Sequence, residues 1–185
     1  MSRAETDRSL VLLGGIFLLG ALAGSLCCTR IPQVETYFSG GQADGFRQAF
    51  WPDGALLGLL FLAGCLGGGV LPVMFVMAAK GFLLAARATG WVLALDGMGY
   101  GAAAAQLLLP GFLSLAAVLL MSRQVLARWS LRRQIPGGKG RGLRPDGAYF
   151  LASAICFGLA VLAAAAACWL SPRLWQTVQT FLPMP

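Results

Sequence analysis

The chain contains no histidine. It therefore lacks the commonest metal ligand and the commonest general base. Charge is scarce as well, at 11% of residues, where a soluble domain carries about a quarter. A surface so poor in charge cannot face water over most of its area, so lipid must cover it. No Cys-x-x-Cys pair occurs. The five cysteines, Cys27, Cys28, Cys65, Cys156 and Cys168, lie in or at the ends of apolar runs. Odd in number and so placed, they read as small apolar packing residues rather than disulfides or metal ligands. No nucleophile stands beside a plausible base, and no glycine-rich loop ends in Gly-Lys-Ser/Thr. No pair of carboxylates falls within an apolar run. These absences point away from an enzyme and imply no cofactor.

Apolar length is abundant. The sequence is 58% hydrophobic, with a mean hydropathy of +0.74. It reads as one all-α membrane domain over residues 1–185, a polytopic helical bundle of about five spans. The first span is 9–28. Arg3 and Arg8 before it resemble a signal-peptide flank, but the apolar run is long enough to be a retained span. Residues 54–95 are apolar throughout except for Lys80 and Arg87. One helix of that length would reach about 63 Å, twice the hydrocarbon thickness. Gly67-Gly68-Gly69 and Pro72 divide it, giving spans at 54–69 and 70–95, with Pro72 in the first turn of the second. At about 24 Å, span 54–69 is short enough to raise the alternative of a re-entrant segment. A turn at Asp96-Gly-Met-Gly-Tyr-Gly101 precedes a fourth span at 102–121, kinked at Pro110-Gly111. The fifth span is 148–170. In the tail, 171–185, Leu174, Val178, Phe181 and Leu182 fall on one helical face, which predicts a short interfacial helix. Trp51, Trp91 and Tyr100 are candidate belt residues at the membrane surfaces, and Tyr149 and Trp169 mark the start and close of the fifth span.

Orientation follows from charge. Arg123, Arg128, Arg132, Arg133, Lys139, Arg141 and Arg144 crowd the loop 122–147. They are half of the 14 basic residues in the chain. The positive-inside bias places this loop in the cytosol. With five spans, the N-terminus is then inside and the C-terminus outside. The segment 29–53 becomes an outer loop, where Arg30 and Arg47 face Glu35, Asp44 and Asp53. A count of four spans would need an N-outside start to satisfy the same rule. The net charge of +7 is explained by this loop, and no nucleic-acid partner is implied.

Within the apolar runs, Lys80 and Arg87 stand out. Seven residues apart, they share one helical face. Lys80 lies roughly 15 Å from the glycine turn, too deep to snorkel easily. A charge at mid-membrane costs at least about 2.5–3.5 kcal/mol and usually faces protein or water. The pair is thus a candidate intramembrane polar site for an anion, a substrate or a partner helix. The structural alternative is a snorkelling Lys80, with Arg87 held by a carbonyl or by Asp96. Gln106 and Ser114 are positioned to hydrogen-bond across helices. Gly20-x-x-x-Gly24 is a close-approach pattern, and the small-residue faces would suit a homodimer.

The run Val70-Leu-Pro-Val-Met-Phe-Val-Met-Ala-Ala-Lys-Gly81 and its continuation to Gly90 carry a family likeness. So do Gly99-Tyr-Gly101, Leu109-Pro110 and the tail Ser171-Pro-Arg-Leu-Trp-Gln-Thr-Val. In this order and spacing they resemble the stage II sporulation protein M family. In this chain Gly81, Pro110 and Gly111 are candidate packing and kink positions. Where family members carry a polar pair after the proline, this chain has Gly111 and Phe112. The resemblance implies a non-catalytic scaffold in the cell membrane, at the sporulation septum of a spore-forming bacterium. It would anchor peptidoglycan-degrading partners, stage II sporulation proteins D and P, during forespore engulfment. The competing expectation is a permease subunit that passes a small anionic solute along Lys80 and Arg87.

Overall fold

A computed structural model describes residues 3–30, 45–94, 96–134 and 147–181, with the backbone alone at 3–10, 94, 96–99, 132–134, 175 and 177–181. Among the described residues there are helices and no strands. We number them α1 (Arg3–Arg30), α2 (Phe46–Leu66), α3 (Val70–Ala94), α4 (Asp96–Gln106), a π-helical turn (Leu107–Gly111), α5 (Phe112–Gln134) and α6 (Gly147–Phe181). Five stretches are long and apolar enough to cross a membrane: Val11–Arg30, Phe46–Leu66, Val70–Leu93, Tyr100–Leu131 and Gly147–Leu174. The chain is a multi-pass membrane protein by this measure.

The turn between α2 and α3 forms where the glycine triplet places it. Gly67 and Gly69 adopt φ of 75° and 74°, a left-handed conformation open to glycine at little cost. The Gly68 N–H caps α2 by donating to the Ala63 carbonyl at 2.8 Å, the 6→1 bond that closes a helix C-terminus. Pro72 then sits in the first turn of α3, where a missing N–H is harmless.

α3 is the hub, packing against α1, α2, α4, the π turn and α5. Its tightest neighbour is α1, which among the described residues touches no other helix. A Cβ on Gly20 would overlap the Ala78 backbone, and one on Gly24 that of Phe82. From the facing side, a Cβ on Gly81 would overlap the Phe17 carbonyl. Lipid tails are as apolar as side chains, so membrane helices associate through such close van der Waals contact rather than hydrophobic transfer. Ser25 and Thr89 add a hydroxyl–hydroxyl bond of 2.9 Å across the same seam. These contacts run in step along both helices, so α1 and α3 are parallel. The remaining core is Leu57, Leu60, Val73, Val76, Val118, Met121 and Val125, all essentially inaccessible.

Several boundaries differ from the sequence expectation. α2 begins at Phe46, so residues 46–53 are helix and not outer loop. At 21 residues it is about 31 Å long, enough for a full crossing rather than a re-entrant one. Its internal Pro52 looks like a helix start in sequence, but only one backbone bond near the N-terminus is lost. The expected turn at 96–101 is the first part of α4. Ala102 and Ala103 there let α4 pack directly on Trp91. α6 continues through Pro172 to Phe181 without a break, so the tail up to that residue is no separate interfacial helix; Leu182 lies outside the described residues. Leu174 packs on the Trp91 cluster. Trp91, expected in a belt, is buried in the core, as is Tyr149, whereas Trp51, Tyr100 and Trp169 are exposed. The basic loop is also shorter. Arg123, Arg128, Arg132 and Arg133 lie on α5, and Lys139, Arg141 and Arg144 fall outside the described residues.

Pro110 does more than bend its helix. Its ring clashes with the carbonyl four residues back. The chain answers with a widened turn, in which the Phe112 N–H reaches the Leu107 carbonyl five residues earlier. Pro110 and Gly111 are both buried. A Cβ on Gly111 would press on the Gln106 carbonyl at 3.2 Å and Leu84 at 3.4 Å.

At one end of the bundle Trp129 of α5 abuts Gly69, and the Tyr149 hydroxyl of α6 abuts Gly64. That hydroxyl donates to the Phe61 carbonyl at 3.0 Å, while the Arg128 guanidinium stacks 4.0 Å from the Tyr149 ring centroid. At the other end Gln106 of α4 donates to the Ser171 hydroxyl of α6 at 2.8 Å. The start of α1, the α2–α3 turn, the end of α5 and the start of α6 therefore share one end. The other end holds Arg30, Phe46, Ala94 and the last turns of α6.

Candidate functional site

The polar centre of the bundle is an ion pair between Lys80 of α3 and Asp53 of α2. Lys80 is 2% exposed and Asp53 9%, so both charges sit inside protein. Lys80 stands about 15 Å along α3 from its start and Asp53 about 10 Å along α2 from its own. Because the two helices form an antiparallel hairpin around Gly67–Gly69, these depths bring the side chains level. A cation and a carboxylate at such depth satisfy each other far better than either could by snorkelling.

The sequence reading places Asp53 in the outer loop, and its pairing with Lys80 is the feature of the site that this reading does not find. The signal was present. Ala49, Asp53, Leu56, Leu57, Leu60, Ala63 and Gly64 are the buried residues of α2, spaced as one helical stripe. Extending the helix back to Phe46 puts Asp53 on that stripe.

Lys80 and Arg87 line the same small cavity, as the shared face requires. Its walls also include Asp53, Trp91, Gln106 and Ser114, with Ala163, Ala164 and Ala167 of α6 closing one side. The volume is about 40 Å³, room for roughly three waters. Among the described residues Arg87 makes no ion pair or hydrogen bond; the side chain of Asp96, its suggested partner, lies outside them. Gln106 bonds across to Ser171. Ser114 instead donates to the Gly111 carbonyl of its own helix at 3.1 Å, taking up a group loosened by the π turn. Gly81 sits at the α1 contact, beside the site, whereas Pro110 and Gly111, in the π turn, form part of its wall.

A second space, about 460 Å³, opens between α1, α3 and the π turn, lined by Phe17, Ala21, Leu84, Leu107, Phe112 and Leu115 among others. It is almost wholly apolar, with Ser25 and Thr89 as its polar members. Among the described residues no group of three or more Cys, Asp or Glu could hold a metal ion, and none of the five cysteines is in a disulfide. The centre can hold charge and orient helices.

Comparison of the chain with models of protein families, with curated proteins and with solved structures found no match.

Proposed function

We propose that this chain is a non-catalytic membrane scaffold of the kind that stage II sporulation protein M provides. It would hold peptidoglycan-degrading partners, stage II sporulation proteins D and P, at the septum of a spore-forming bacterium during engulfment. The observation that carries this reading is the fate of the motif residues. Lys80 is neutralised within the chain by Asp53, Gly81 seats α1 against α3, and Pro110 sets the π turn. The residues that carry the resemblance thus serve to fix helices against one another, as a scaffold needs. A permease built on Lys80 would need that charge free for a solute, and a cavity of about 40 Å³ is small for one.

The proposed orientation places the end bearing the start of α1 and the end of α5 in the cytosol. Arg3, Arg8, Arg123, Arg128, Arg132 and Arg133 belong to helices that begin or finish there, which is the basic-inside pattern. The segment 31–44 and the C-terminal end then face the wall, where hydrolytic partners work. A variant freed of native cysteines tests this. Gly138→Cys should resist an impermeant thiol reagent in intact cells and Gly40→Cys should react; the opposite pattern reverses the orientation. For the function, the chain is captured in mild detergent from sporulating cells, and wall hydrolases should co-purify. Deletion should stall membrane migration around the forespore. Normal engulfment with impaired uptake of an anionic solute would replace the scaffold by the permease.

A further inference from the structure

We propose that the cavity between α3, the π turn and α6 is a binding site for one small monovalent anion of halide size, held by Arg87. The charges of the described lining residues point to it. The cavity is lined by Asp53, Lys80 and Arg87, and Asp53 is engaged by Lys80. Among the described lining residues that leaves the half-buried Arg87 as one positive charge beside apolar helices. A lone guanidinium in such surroundings is unfavourable unless a counter-charge or water meets it.

The groups near Arg87 suit an anion. Arg87 lies seven residues beyond Lys80, about 10 Å further along α3 and away from the one carboxylate among the lining residues. Around it stand the Trp91 indole and the Gln106 amide. The indole is a donor only, and the amide carries a second N–H besides the one given to Ser171. The lining thus includes side-chain N–H donors besides the Arg87 guanidinium. The size selects among anions. About 40 Å³ admits a halide or a few waters, and excludes a sugar acid or a phosphate ester. Pro110, Gly111 and the alanines of α6 wall the space, so a partner's helix cannot enter it. The anion would complete the charge balance of the bundle, a role independent of what the scaffold holds.

The test uses the intact chain in mild detergent. Its thermal unfolding midpoint is compared in sodium chloride and in sodium gluconate at equal ionic strength, gluconate being too large for the cavity. Chloride at ten times its Kd should raise the midpoint by about 3–6 °C, and the rise should saturate. Arg87→Gln should abolish the difference between the salts, while Arg87→Lys keeps the charge and should retain part of it. Crystals of the wild-type chain grown in bromide should show anomalous scattering beside Arg87, which keeps the test open if Arg87→Gln fails to accumulate. A wild-type midpoint indifferent to the salt, or a chloride rise undiminished in Arg87→Gln, overturns the proposal.

Discussion

Replacing Lys80 by methionine should destabilise the bundle, although it removes a charge from an apolar interior. The sign is the useful part. If Lys80 were an unpaired site lysine, its removal would relieve an insertion cost of about 2.5–3.5 kcal/mol and the protein would gain stability. Because Asp53 is its partner, the substitution instead strands a carboxylate that is 9% exposed. Breaking a buried pair from one side costs about 3–5 kcal/mol. In a chain of this length that lowers the unfolding midpoint by on the order of 10 °C. Asp53→Asn is the sterner arm, since it leaves Lys80 and Arg87 as two cations lining one cavity. The double variant D53N/K80M removes both charges and should return close to wild type, as apolar or neutral replacements of buried pairs do. Thermal or denaturant unfolding of the four proteins in one detergent gives the coupling energy directly. Two single variants within about 1 kcal/mol of wild type, or a double variant whose loss is the sum of the singles, would show that the pair does not hold α2 to α3.

Three further outcomes follow from the packing. Ser25→Cys with Thr89→Cys should cross-link readily under mild oxidation, since the two hydroxyls are 2.9 Å apart. The same pair in a Gly20→Val background should cross-link poorly, because a side chain there meets the Ala78 backbone. Tyr149→Phe should cost about 1 kcal/mol in an unfolding titration, the worth of its bond to Phe61. Gly64→Ala should cost more, since the new methyl collides with the Tyr149 hydroxyl and disturbs its stack beneath Arg128 as well.

The parts of this fold legible in sequence are those fixed by local chemistry. Five crossings follow from apolar length, and the α2–α3 turn from three glycines followed by proline. The close approach at Gly20 and Gly24 follows from their four-residue spacing, because only that interval presents two bare backbone patches on one face. What sequence reading misjudged were the places where punctuation residues stay inside helices. The glycines of 96–101 read as a turn, yet α4 runs through them, as α2 runs through Pro52 and α6 through Pro172. In water an interrupted helix can give its loose backbone groups to solvent. Inside a bilayer every such group must find a partner in the protein, so the helix persists and absorbs the insult locally. The π turn around Pro110 is that response in its clearest form.

Asp53 shows how one boundary carries the reading of a whole site. Starting the second span at residue 54 exiles the aspartate by a single position, and Lys80 then looks like an unmatched charge awaiting a solute. Starting it at Phe46 puts a carboxylate on the buried stripe, 14 residues before Gly67, with the lysine 11 residues after Gly69. In an antiparallel hairpin those distances are about 21 and 17 Å along the two helices, close enough in height for the side chains to meet. The functional question then moves from Lys80 to Arg87. Lys80 is paired with Asp53, so anion chemistry in this cavity would fall to the guanidinium two turns further along α3. A permease and a scaffold now differ over one residue. Transport through the bundle would be lost in Arg87→Gln with the fold intact, whereas anchoring of partners at the wall-facing end should survive that substitution and fail with Lys80→Met.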